Sequence, residues 1–197
     1  MKRLSMFAAA LLLPLSLALA GVAEDVSTLQ QKWEQVRYKT AAPAQEAQYA
    51  QLLGEAQKLA QANPNSAEIL IWYAIIESTY AGAKGGLGAL SHAKSARKTL
   101  EQAIALNPDA LSGSAYTSLG SLYYQVPGWP LGFGDDKKAL ELLKKGLAVN
   151  PDGIDPNYFY GDYLYRQGDY ASRTRPAQSA AGAAAPGPQG SRRGPAR

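Results

Sequence analysis

Cysteine is absent from all 197 residues. That absence excludes a disulfide framework, a thiol nucleophile, a thiolate metal site and the lipid-bearing cysteine of a bacterial lipoprotein. Histidine is almost as scarce. His92 is the only one, and with no thiol and no carboxylate close to it in sequence it is expected to be a surface or packing residue, not a base. Ser91-His92 is no nucleophile arrangement, because adjacent helical residues do not face each other. Strand-like alternation is missing throughout, and no second hydrophobic span follows the first twenty residues. No acid–base pair, nucleophile or set of metal ligands assembles from what remains, so neither an enzyme nor a cofactor is expected.

The two ends differ from the body. Met1–Ala20 opens with Lys2 and Arg3, continues apolar from Phe7 to Ala20, and places Ala18 and Ala20 before Gly21. This is the layout of a secretory signal peptide cleaved after Ala20 or Ala23, which predicts a periplasmic or secreted protein with no integral membrane segment once the leader is removed. From Ala171 the chain holds only Ala, Arg, Gly, Pro, Ser, Gln and Thr. Such a tail cannot bury a face and is expected to be disordered. Ala, Arg, Gly and Pro are residue types with GC-rich codons, so the composition suggests a last repeat cut short by a frameshift, the alternative being a genuine tail. These ends also explain the charge. The chain totals 20 Lys+Arg against 16 Asp+Glu, but seven of the basic residues lie in the leader and tail, so residues 21–170 carry 13 against 16. The basic pI is therefore no reason to expect a nucleic-acid partner.

What the body does contain is a period. Asn63-Pro64, Asn107-Pro108 and Asn150-Pro151 stand 44 and 43 residues apart, each closing a run of helical apolar spacing. Proline disfavours helical angles in the residue before it and cannot continue a helix, so each pair is a stop signal. Between the stops the 3–4 spacing predicts seven helices: Glu24–Tyr38, one opened by Pro43, a third around Ile69–Ile76, a fourth from Leu90 to Ile104, and then Ser112–Gln125, Lys137–Val149 and Pro156–Gln167. The third is apolar nearly all round and should lie in the middle of a stack. Gly82, Gly85, Gly86 and Gly88 predict a flexible loop between the third and fourth. Lys84 beside that loop offers a weak anion site, and Asp135-Asp136 reads as a helix cap.

Tyr116, Leu119, Gly120 and Tyr123, followed by Ala139, Leu143, Gly146 and Pro151, resemble the pattern of a tetratricopeptide (TPR) repeat. Ala96, Leu100, Ala103 and Pro108 repeat its second-helix spacing, and Gly161 with Gly168-Asp169-Tyr170 resembles the start of another unit. The runs around Ala81–Gly88 and Val126–Asp136 are similar to those of small exported bacterial TPR proteins. A TPR spans 34 residues, so the longer period here places additions at 81–88 and 127–133, between the helices of a unit. The resemblance implies an all-α, right-handed solenoid of antiparallel helix pairs over residues 21–170, about three pairs plus a truncated terminal helix. It also implies a binding face on the first helix of each pair: Ile71, Ile75 and Ser78, then Thr117, Ser121, Tyr124 and Gln125, then Tyr158, Asp162, Tyr165 and Arg166.

Twelve Tyr and three Trp are many for this length, and tyrosine beside a few polar groups suits a peptide or a small polar ligand. The candidate binding residues are therefore Tyr124, Trp129, Tyr158, Asp162, Tyr165 and Arg166. The expected function is an exported scaffold binding a protein or peptide on its concave face. The alternative is a small-ligand accessory protein resembling the T component of tripartite (TRAP-type) solute transporters.

Overall fold

The computed structural model describes residues 13–168, with side chains from Gly21 onward except that of Leu87. Among them the secondary structure is helical. The order is α1 (Leu13–Lys39), α2 (Ala42–Ala62), α3 (Ala67–Lys84), α4 (Gly86–Leu106), a 3-10 turn (Ala110–Gly113), α5 (Ser114–Gln125), α6 (Asp136–Val149) and α7 (Ile154–Arg166). The expected leader falls largely outside the described residues; α1 runs unbroken across the position after Ala20. The tail from Ala171 and the Asp169-Tyr170 pair lie outside them too.

The three Asn-Pro stops act as their chemistry requires. Asn63, Asn107 and Asn150 follow the last residues of α2, α4 and α6, and each donates its backbone N–H back to a carbonyl of the final turn. The starts are capped by side chains where the sequence supplies them. Ser66 Oγ accepts from the Ile69 amide, and Asp135 Oδ1 accepts from the amides of Lys137 and Lys138 at 3.0 Å each. Two otherwise orphaned donors are thus satisfied, and a carboxylate sits at the positive end of α6. The cap reading of Asp135 holds.

The glycine-rich loop expected before α4 does not exist. α3 continues through Gly82 to Lys84, α4 begins at Gly86, and Gly85 alone joins them, at φ 66° and ψ −171°. That conformation is essentially closed to residues with a Cβ. The extra length of this unit therefore extends its helices instead of forming an inserted loop. The second addition is a loop as expected, Val126–Asp135, with a cis Trp129-Pro130 bond and an isolated bridge between Gly128 and Gly134.

Each helix packs chiefly on its neighbours in sequence. α3 with α4, α5 with α6 and α2 with α3 make the closest associations, and α1–α3, α3–α5 and α5–α7 meet across one intervening helix. α3 lies in the middle, as its uniform apolarity predicts: Ile69, Ile71, Ala74 and Ile76 are fully buried. Two hydrophobic clusters result. The larger runs from Ala60 of α2 through α3 to α7, and the smaller joins Leu29, Val36, Tyr49, Leu52 and Ala56 of α1 and α2 to Ile76 and Tyr80 of α3. Small residues set the closest approaches. A Cβ on Gly120 of α5 would stand 2.9 Å from Leu143 of α6, and one on Gly146 would stand 2.5 Å from Thr117 Oγ1. No described helix is long and apolar enough to cross a membrane.

Candidate functional site

Tyr124 ends α5 and Asp162 and Arg166 lie one turn apart on α7, so the site exists only because those two helices touch. The Tyr124 hydroxyl donates to Asp162 Oδ2 at 2.8 Å, and Arg166 Nε donates to the same oxygen at 3.1 Å. The Arg166 guanidinium also stands over the Tyr124 ring, 5.2 Å from its centroid, where a cation is attracted by the ring's negative face. Tyr163 meets the Tyr124 ring edge-on at 5.8 Å, and Gln125 Nε2 donates to the Tyr124 hydroxyl at 3.3 Å. Burial, with Asp162 as hydrogen-bond acceptor, pushes the Tyr124 phenol far above its ordinary pKa, against the opposing effect of Gln125. It remains a neutral donor throughout the working pH range.

Beside this network lies an open depression of about 400 Å³, lined by Asn157, Tyr158, Gly161, Asp162 and Tyr165. Tyr158 is 64% exposed and Tyr165 55%. The structure thus brings together five of the six candidate residues. Trp129, the sixth, is 89% exposed in the α5–α6 loop and does not line the depression.

Two other residues assigned to the binding face are core. Ile71 is fully buried within the larger apolar cluster, and Thr117, 3% exposed, is covered by Gly146 of α6. Thr117 is needed opposite Gly146, where only a glycine leaves room for it. Ile75 and Ser78 are half-buried, and Ser78 Oγ is turned back to the Ile75 carbonyl.

His92 packs between α3 and α4, with a carboxylate distant in sequence beside it. Its Nδ1 lies 3.2 Å from Glu77 Oε1, and the Tyr80 ring stands edge-on at 4.8 Å. Glu77 is 4% exposed, and its Oε2 makes no hydrogen bond. The carboxylate reaches His92 because α3 and α4 fold back on each other at Gly85, bringing together residues 15 apart in sequence. A buried carboxylate without a partner is expensive, so His92 anchors this helix pair. Lys84, the candidate anion ligand, is already engaged, with the Tyr80 hydroxyl at 3.2 Å and Glu46 at 3.8 Å.

A second open depression, of about 440 Å³, lies between α1 and α2, where Gln31, Gln35, Gln48 and Gln51 surround the Lys32–Glu55 ion pair. Sequence reasoning missed it because glutamines on a helix read as a solvated face. Among the described residues no group of three or more His, Asp or Glu is placed to hold a metal ion. Neither a protein-family model nor a curated protein matches the chain.

Proposed function

We propose that the chain is an exported, TPR-like interaction module, a right-handed solenoid of antiparallel helix pairs that takes a protein or peptide partner at its α5–α7 end. The observation carrying this reading is the Tyr124–Asp162–Arg166 network. It fixes a carboxylate and a guanidinium of α7 against a neutral hydroxyl of α5, beside an exposed aromatic face. Fixed polar groups next to exposed tyrosines are the composition of a protein-binding surface. The depression is open and lined by only five residues, so it suits a polypeptide lying across it better than a small ligand enclosed within it. The proposed role requires shape and polar complementarity and no bond-making chemistry.

The test uses the full chain as bait against proteins of the exported fraction, beside Asp162→Ala and Tyr124→Phe variants of matched helicity. A partner retained by the parent and lost with Asp162→Ala is expected. Equal retention by all three chains would remove the site from consideration.

A further inference from the structure

The contacts that seat α6 on α5 use three positions spaced as i, i+4 and i+7. Gly113 receives Val149, Thr117 receives Gly146, and Gly120 receives Leu143, each within 3 Å of where the missing or opposing Cβ would lie. The same spacing recurs 41 residues later as Ile154, Tyr158 and Gly161. The faces correspond as well. Ala115, Leu122 and Tyr123 of α5 are buried, and so are their counterparts Pro156, Tyr163 and Leu164 of α7. What differs is the cover. Ile154 is 86% exposed and Tyr158 64%, and nothing lies within 4 Å of a Cβ built on Gly161. α7 presents to solvent the face that α5 presents to α6.

We propose that this face of α7 is the docking seat for an amphipathic α-helix of another protein, held as α6 is held on α5. The inference rests on the interaction-module reading and names its partner class. The occupant carries a branched aliphatic side chain for the Gly161 notch, as Leu143 fills that of Gly120. One turn away it carries a small residue opposite Tyr158, which is larger than the Thr117 it replaces. A basic helix matches the seat's charge. α7 bears Asp155 and Asp162 against Arg166 alone, whereas α6, the helix on the equivalent seat, bears four lysines against Asp136 and Glu141. Residues 171–197 hold no aliphatic side chain larger than alanine, so that segment does not supply the aliphatic knob.

The chain's own α6 sequence is the probe. A labelled peptide of residues 134–150 is titrated with the full-length protein and followed by fluorescence anisotropy. Saturable binding is expected. A Leu143→Lys change in the peptide, or Gly161→Leu in the protein, should weaken it by about tenfold or more, since either removes a buried aliphatic contact. Gly161→Leu enters open space on a helix and should leave thermal unfolding unchanged or raised. Absence of binding, or binding indifferent to both changes, overturns the proposal. So does self-association in sedimentation that Gly161→Leu abolishes, because a second copy would then be the occupant. A natural partner lost with Asp162→Ala but kept with Gly161→Leu would leave the interaction module standing and remove the helix from its seat.

Discussion

Glu77 and His92 show how a single pair can be structural while looking chemical. The carboxylate is buried with one oxygen unpaired, and His92, about a quarter exposed, is its hydrogen-bonding neighbour across the α3–α4 interface. Removing one partner of such a pair leaves the other stranded, at a cost of about 1–3 kcal/mol where the histidine is partly solvated. His92→Ala should therefore lower the urea midpoint while leaving the proposed partner binding at the α5–α7 site intact; loss of binding without loss of stability would give His92 a functional role. Tyr124 permits a different residue-scale experiment. Burial raises the phenol pKa of Tyr124, and also those of Tyr49, Tyr73 and Tyr163. A group whose folded pKa is raised stabilises the protein fully below its unfolded pKa, near 10 for tyrosine, and that contribution is lost as pH rises beyond it. Stability against urea should therefore be insensitive to these groups at neutral pH and fall above about pH 10. The fall should be smaller in Tyr124→Phe.

At the scale of single elements, helix ends were legible in the sequence because their causes are local. Asn-Pro stops three helices where it stands, and Asp135 caps α6 with its own side chain. Asp135→Ala should cost about 1 kcal/mol in thermal unfolding through loss of both capping hydrogen bonds. The junction was misread because four glycines in seven residues look like a loop, whereas only two of them, Gly85 and Gly86, leave helical angles. The dihedral angles that decide this are invisible in composition. Gly82→Ala, mid-helix with nothing near its Cβ, should be neutral or stabilising, but Gly85→Ala should cost about 1–3 kcal/mol by forcing a Cβ into a region reserved for glycine. Equal melts for the two variants would show that the junction is not held at those angles. The site was legible as a list of residue types but not as a network. Tyr124 and Asp162 are 38 residues apart, and their meeting depends on the α5–α7 contact. Ile71 and Thr117 were placed on the binding face by repeat register, but Ile71 is buried in the larger cluster and α6 covers Thr117.

For the molecule as a whole, the close glycine contacts limit what the α5–α6 association tolerates. Gly146→Leu would drive a side chain into Thr117 and its backbone, and overpacking of this kind costs about 1–3 kcal/mol or more. The whole unfolding transition, followed by far-UV circular dichroism, should move to lower temperature. A smaller displacement than that of Asp135→Ala would mean the two helices part easily. The all-helical character and the central place of α3 follow from hydrophobic period and uniform apolarity, signals carried by many residues at once. Which faces remain uncovered depends on helix-to-helix contacts that no single segment encodes.

The two hydrophobic clusters carry a consequence for how the molecule comes apart. Leu59 and Tyr73 border both, and α1 and α2 pack chiefly on each other and on α3, through ties that include Trp33, whose Nε1 donates to Thr79 Oγ1 at 3.1 Å and whose ring meets Trp72 edge-on. Terminal helices that lean chiefly on α3 can leave without unseating α4–α7, which favours sequential loss over a single all-or-none event. Amide protons of α1 and α2 should exchange with solvent through a lower-energy opening than those of α3 and α4. In urea, the emission of Trp33 and Trp72 should shift before the helical signal collapses, giving two midpoints where a single cooperative unit gives one. The amino-terminal helices would then be the part of the chain that can be released while the α5–α7 end stays folded.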